Sequence, residues 1–594
     1  MAAGAVRNAS GSKTMADLMS RAAEQYADHV MARYKAGDEW HDIGYADAAA
    51  IVREIGLGIL DLGIAAGDRV CILANTRPEW TYCDLAISSA GAVVVPIYPT
   101  NSPEECEYVI ADSGAVAIVC ENAAQLAKLA AAADRLPSLR HLIVIDGAGA
   151  DADVVTLEQL RERGQTHDPA ELTARQDAVT LGDPFTIIYT SGTTGPPKGC
   201  VLTHGNYRAM VDMCIRGRVL EANEVIYLFL PLAHSFALLA QLLNIDLGGT
   251  IAYSSGDTTQ IIAEIGETRP TYLPSVPRIF EKIHTLAQKM LPAEELELIR
   301  TVGGRIHDLE STGEPVPDEL VAEFEPVAAK AEFVRNLFGG QLRKAVSGAA
   351  PIAAEILEFF WGAGVPVLEG YGMTEAATGV TVSSVDHHRF GSVGQPFPGV
   401  ELRIAADGEI LVKGDNVFAG YHGHAEQSFG AVVDGWLHTG DIGSVDDGGY
   451  LWITGRKKDI IITAGGKNIT PANFENDMKQ TRWVSQCVMH GDNRPYAVAL
   501  VTLDEEEIGP WAAEQGIEDA SPGALAIDPR VRALVQIEVD RINQRYARAE
   551  QVKRFAILDH DLTQESGELT PTLKVKRNVV NERHAGVFDA LYGD

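Results

Sequence analysis

Residues 189–199 read YTSGTTGPPKG, directly behind the apolar run Phe185-Thr-Ile-Ile. That run predicts a buried strand, and the eleven residues after it predict a loop built for an anion. Glycines at 192, 195 and 199 let backbone N–H groups converge on one point. Thr190, Ser191, Thr193 and Thr194 add hydroxyl donors, and Lys198 adds a full positive charge. The order of glycine, lysine and hydroxyl is not that of a Walker A loop. A flexible Ser/Thr/Gly surface turn is the plain alternative, so the rest of the chain has to decide.

At 594 residues the chain exceeds one ordinary core, and at least two domains are expected. Apolar residues make up 46% and charged ones 22%, a globular balance. A net charge of −33 argues against nucleic acid and against long-range attraction to anionic lipid. The cysteines, at 71, 83, 106, 120, 200, 214 and 487, form no CxxC pair. They read as reduced thiols and offer no zinc site. The N-terminus lacks the apolar core of a signal peptide, and no run approaches the roughly 20 apolar residues of a membrane span. A cytoplasmic protein with at most peripheral membrane contact is expected; homodimerisation is left open.

Residues 1–14 are small and polar and predict a disordered tail. From Met15 helical patterns such as residues 48–62 alternate with short apolar strands at 69–73, 91–98 and 115–119. The alternation predicts an α/β fold of mostly parallel sheets flanked by helices. A charged, helix-prone stretch at about 285–340 reads as a surface helical insertion. Between about 400 and 455, short strands separated by Asp/Gly turns predict a small barrel-like subdomain. The basic run Gly455-Arg-Lys-Lys-Asp459 separates this large N-terminal domain, 15–455, from a small C-terminal α+β lid domain, 461–594, with 456–460 as a hinge. In the lid, 473–480 and 540–550 read as helices and 496–503 as a strand.

Five further segments share one chemistry with the opening loop. Ser347-Gly-Ala-Ala-Pro351 follows an apolar strand, and its small residues let a flat ring pack against backbone; a strand-to-helix turn is the plain reading. Glu369-Gly-Tyr-Gly-Met-Thr-Glu375 sets an aromatic between glycines, then a hydroxyl and a carboxylate, a set able to stack a base, touch a phosphate and hold a cation. Asp441, closing Gly435-Trp-Leu-His-Thr-Gly-Asp441, is a carboxylate able to accept two hydroxyl hydrogen bonds, or else a hairpin-turn aspartate. Arg456 and Lys458 lie in the basic run, where a solvated linker is the plain reading, most credible for Lys457. Leu569-Thr-Pro-Thr-Leu-Lys574 precedes Val575-Lys-Arg near the C-terminus.

The order of these motifs, with YGMTE far behind TSGTTGPPKG, resembles the acyl-adenylate-forming (AMP-binding) superfamily over about residues 15–585. The resemblance implies Mg-ATP, a carboxylic acid and coenzyme A as substrates, joined through an acyl-adenylate. It implies nucleotide contacts from Thr190, Ser191, Gly192, Thr193, Thr194, Gly195, Lys198, Gly348, Ala349, Ala350, Glu369, Gly370, Tyr371, Gly372, Met373 and Thr374. Ribose contacts from Asp441 and Arg456, and magnesium ligands in Thr193 and Glu375, are implied too. Lys574 corresponds to the lysine that reaches acyl carboxylate and α-phosphate, with Lys576 as the competing candidate, because Leu573 stands where a glycine usually precedes that lysine. Lys458 corresponds to the hinge about which the lid rotates, and Gly465 and Gly466 to the loop that would then border the pantetheine channel. Being polyanions, ATP and CoA require local basic pockets in so acidic a chain.

The texture of LPLAHSF, VPRIFEKI and ITAGGKNITP resembles long-chain fatty acyl-CoA synthetases. On that resemblance the apolar run 227–243 forms an acyl channel, with Ala237 in its wall and His234 beside the reacting carboxylate; a core helix is the alternative. A fatty acyl-AMP ligase, or an adenylating enzyme that loads a carrier protein, is the rival reading.

Overall fold

The computed structural model describes residues 9–147, 154–190, 196–570 and 573–593. Two large sheets, mostly parallel, form the body. In the first, the strands run Gln395–Pro396, Thr381–Val382, Val367–Tyr371, Lys344–Ser347, Tyr272–Ser275, Val225–Leu228, Thr250–Tyr253, Val30–Ala36 and Glu39–Gly44. All pairings from Val367–Tyr371 to Val30–Ala36 are parallel. The second sheet is parallel from Val154–Thr156 through to Pro184–Thr190, then turns antiparallel at Lys198–Thr203 and Gly420–Tyr421. Parallel strands with helices on both faces bury both sides, which is why Val93–Ile97 and Ala117–Cys120 are apolar throughout rather than alternating.

A five-stranded antiparallel sheet comes next along the chain, in which Trp436–Val445 pairs with Glu409–Lys413, Val432–Val433 and Leu451–Arg456. The C-terminal part is built on Val484–His490, Ala497–Leu503 and Val552–Ile557 around its own apolar cluster.

Three expectations are corrected. Residues 9–14 are packed rather than disordered: Ser10, Ser12 and Thr14 are buried, Arg208 donates to Ser12 Oγ at 2.8 Å, and Ser10 bonds Asp246. Small polar residues look like a tail in sequence, but here they satisfy a buried ion pair. The 285–340 region is not a surface appendage. Ile299, Val327, Val334 and Phe338 join Leu273, Ala345 and Val367 of the first sheet in one buried cluster, so these helices cover a face of that sheet. In the lid the helix is Pro529–Asn543 rather than 540–550, because Asp528 caps it, accepting from Arg530 N at 2.8 Å, and Pro529 fits its first turn.

The Arg208–Asp246 pair, 2.8 Å apart, ties the N-terminal segment to the end of helix Ser235–Asp246, with the two side chains 6% and 0% exposed. Removing one partner of a buried pair leaves an uncompensated charge. Asp246→Ala should therefore cost about 3–5 kcal/mol, read as a lowered denaturation midpoint; a loss under about 1 kcal/mol would show that Ser12 and Asp212 alone satisfy Arg208.

Candidate functional site

The carboxyl ends of three neighbouring parallel strands, Tyr272–Ser275, Lys344–Ser347 and Val367–Tyr371, open on one cleft, the usual location for a ligand in such sheets. The cleft has a volume of about 2150 Å³ and extends between the body, the five-stranded sheet and the lid. Of the sequence-predicted site residues, Thr190, Lys198, His234, Gly348, Ala349, Ala350, Lys458 and Lys574 line it. So do Asp441, Arg456, Lys576 and every residue of 369–375. Ser191, Gly192, Thr193, Thr194 and Gly195 lie outside the described residues. Gly465 and Gly466 are not brought to the cleft; they sit in a tight turn in which Thr463 Oγ1 accepts from Lys467 N.

The strands on either side of the opening motif pair antiparallel, with Thr190 directly opposite Lys198. Lys198 Nζ stands 5.2 Å from the centre of the Tyr421 ring, and the Tyr421 hydroxyl donates to Glu375 Oε1 at 2.9 Å. Tyr421 carried no motif signal in sequence. It arrives because strand Gly420–Tyr421 extends the sheet edge beside Lys198–Thr203.

Asp441 and Arg456 face each other across Trp436–Val445 and Leu451–Arg456, with Nε 2.8 Å from Oδ1. The Tyr371 hydroxyl donates to Asp441 Oδ2 at 2.6 Å, and burial beside that carboxylate drives the phenol well above its ordinary pKa. Tyr371 is therefore fixed as a neutral ring. In the same motif Gly372 is sterically required, since a Cβ there would lie 1.3 Å from the Thr378 carbonyl oxygen. At Gly348 the added Cβ would meet only ordinary contacts beyond 3.5 Å, so protein packing does not demand that glycine; a ring lying on the backbone would. Ala349, Ala377 and Thr378 all hold positive φ, at 71°, 44° and 85°, a concentration of backbone strain typical of ligand clamps. Glu369 is turned to structural use: its carboxylate accepts from Gly391 N at 3.2 Å, and burial lifts its pKa to about 8.

His234 caps helix Ser235–Asp246, its Nδ1 accepting from Phe236 N at 3.2 Å. That bond puts the ring proton on Nε2. Burial, with the nearby Lys574 charge, lowers its pKa to about 4, so the ring is a neutral donor. From His234 the helix turns Phe236, Leu239, Ala240 and Leu243 to the cleft, one stripe at helical spacing. At about 1.5 Å per residue the stripe runs about 13 Å, and Ile226, Tyr272 and Leu220 line the cleft as well. Ala237, expected in the wall, is fully buried away from it.

Lys574 projects from a hairpin closed by the Leu569–Val575 bridge, with Thr570 N bonded to Lys574 O at 2.8 Å. Leu573 occupies the left-handed region there, with φ 59°, the conformation that favours glycine and costs other residues about 1 kcal/mol. The Lys574 side chain is exposed to the cleft; desolvation by the surrounding protein and then the Arg456 charge lower its pKa, while Asp441 and Glu375 act the other way. Lys576 instead approaches Glu105, at 3.7 Å. Beside Arg456, Lys457 is not a free linker residue: it pairs with Asp407 at 2.5 Å and Glu409 at 3.2 Å. Further ion pairs, Arg278–Asp504 (2.6 Å), Lys282–Glu506 (3.1 Å) and Lys289–Glu507 (2.5 Å), fasten the lid to helix Pro277–Met290.

Residues 19–422 match the AMP-binding enzyme family and residues 458–594 the AMP-binding enzyme C-terminal domain, and the chain belongs to this family. It is 39% identical over 572 residues to the long-chain-fatty-acid–CoA ligase FadD15 of Mycobacterium tuberculosis, covering 95% of this chain and 94% of that one. It is 32% identical to the long-chain-fatty-acid–CoA ligase ACSBG2 of Xenopus laevis, covering 98% and 84%. The fold is shared with the adenylation domain of a carboxylate reductase from Mycobacterium chelonae, at TM-score 0.78 and 22% identity over 99% and 93% of the two chains.

Were Lys574 to hold a nucleotide, it would need the charged amine. Because its pKa lies below the ordinary 10.5, ATP affinity should fall as pH rises through that lowered value. Equilibrium titrations between about pH 7 and 10 test this. Lys574→Arg, which stays charged, should flatten the decline; an unchanged decline would place the titrating group elsewhere.

Proposed function

We propose that this chain is an AMP-forming long-chain-fatty-acid–CoA ligase. The observation that carries the reading is the union, in one cleft, of a nucleotide grip with an apolar stripe that begins at His234. The names of the relatives agree with it. An all-trans acyl chain advances about 1.2 Å per bond, so a stripe of about 13 Å takes roughly eleven bonds before the cleft's further lining begins. Each buried methylene contributes about 0.8 kcal/mol, enough for chain length to dominate recognition.

In the first step a carboxylate oxygen attacks the α-phosphorus of ATP, and the bond to pyrophosphate breaks. Two anions must be brought together, so alignment and charge cancellation are the main requirements. Lys198 would neutralise the outer phosphates and Lys574 would bridge carboxylate and α-phosphate. His234 Nε2–H would donate to the acyl carboxylate, and Asp441 with Arg456 would hold the ribose. Glu375, whose carboxylate borders the cleft with one oxygen held by Tyr421, suits a hard cation and is the ligand offered to Mg²⁺; bound there, the ion would add charge neutralisation at the phosphates. In the second step CoA thiolate attacks the acyl carbon and AMP leaves. Rotation about Lys458 would withdraw Lys574 and bring Gly465 and Gly466 to the thiol arm. Seven unpaired, buried cysteines support a cytoplasmic location for this chemistry, and no helix among the described residues is long and apolar enough to cross a membrane.

Pyrophosphate release and CoA consumption across acids of graded length test the reading. Pyrophosphate release without CoA consumption would favour an acyl-AMP ligase or a carrier-loading enzyme. Lys574→Ala should cut acyl-AMP formation at least 100-fold while sparing thioester formation from supplied acyl-AMP, and Lys458→Pro should do the reverse by locking φ. Equal losses in both half-reactions would remove these assignments. Ala240→Trp should shift preference to shorter acids, by about fourfold per excluded methylene, with ATP affinity unchanged.

A further inference from the structure

His560, Glu568 and His584 come together in the lid, away from the cleft and unused by the adenylation and thioester chemistry. One ring nitrogen of each histidine and one carboxylate oxygen lie within 4.8 Å of one another. Two histidines and a carboxylate suit Zn²⁺ or a similar transition ion, with water as fourth ligand. We propose that these three side chains form a transition-metal site that braces the hairpin presenting Lys574.

The surroundings fit a metal as well as the donors do. The Asp559 carboxylate is 2.6 Å from His560 Nδ1; it holds the proton there and leaves the lone pair on Nε2, the carboxylate–histidine arrangement found behind metal ligands. Ser566 Oγ donates to Glu568 Oε2 at 2.6 Å, which orients Oε1 towards His584 Nε2, 2.7 Å away. The Glu568 side chain is completely buried and that of His584 is 9% exposed, whereas His560 lies at the surface, giving a rigid inner pair and an accessible outer ligand. The Arg583 guanidinium is 3.5 Å from Glu568 Oε1 and competes for it, but its side chain is 46% exposed and has open water to move into.

The position gives the site a consequence. Glu568 O accepts from Lys576 N at 2.7 Å, and the next residue, Leu569, forms the bridge to Val575 that closes the Lys574 hairpin. His584 begins the C-terminal helix Ala585–Tyr592 as its cap. A bound ion would therefore join the base of the hairpin to the end of the chain, offsetting the strain of Leu573 at its tip.

Zn²⁺ and Co²⁺ titrations of the full-length, nucleotide-free protein test the proposal. One equivalent should bind, Co²⁺ giving the intense visible absorption of a four-coordinate site, and Zn²⁺ should slow amide exchange at 573–576. His560→Ala, at an exposed position, should weaken binding at least tenfold, as should His584→Gln, while Glu375→Gln in the cleft leaves it unchanged. No stoichiometric binding to the wild type, or equal affinity in His560→Ala and wild type, would overturn the site. Loss of binding in Glu375→Gln alone would assign the ion to the nucleotide cleft and also overturn it.

Discussion

The Asp441 carboxylate is the junction on which the cleft depends. It accepts from the Tyr371 hydroxyl, at the end of a parallel strand of the body, and pairs with Arg456, the last residue before the lid connection. The body and the five-stranded sheet thus meet on two oxygens of one buried side chain. A carboxylate with charged and phenolic donors on both oxygens makes stronger bonds than a neutral acceptor would. The five-stranded sheet owes its place against the body in part to this contact, and the lid connection starts from the same point.

Acidity shapes everything around that junction. A chain of net charge −33 attracts polyanions only where basic groups are held together, and the cleft does this with Lys198, Arg456 and Lys574. Each is steadied by something other than a simple surface ion pair: the Tyr421 ring under Lys198, the buried Asp441 beside Arg456, and a closed hairpin behind Lys574. Desolvation and then the nearby Arg456 charge hold the lysine's pKa below its ordinary value. An anion between them would relieve that repulsion.

The lid is fastened by contacts of a different sort. Arg278, Lys282 and Lys289 lie along one side of their helix and meet Asp504, Glu506 and Glu507 at the start of helix Glu505–Glu514. Half-exposed pairs of this kind contribute about 0–1 kcal/mol each and weaken with salt. The apolar cluster inside the C-terminal domain does not depend on these pairs.

The sequence by itself determined the α/β class, the change of texture near residue 400, and the order of motifs that places the chain in its family. These are legible because strand hydrophobicity and glycine-rich turns are local properties. Tertiary structure alone decided the rest. Ser12 is a partner for a buried arginine only once a helix some 200 residues away packs against it. Tyr421, silent in sequence, reaches Glu375 through strand pairing; Ala237 turns into the core while Ala240, three residues on, faces the cleft. Lys574 and Lys576 cannot be told apart by spacing, yet the hairpin sends one towards Asp441 and Glu375 and the other towards Glu105. His560, Glu568 and His584 show no ligand spacing along the chain and are brought within 4.8 Å of one another only by the fold of the C-terminal domain. In each case the deciding contact joins residues far apart in sequence, and no local pattern encodes which distant group will stand opposite.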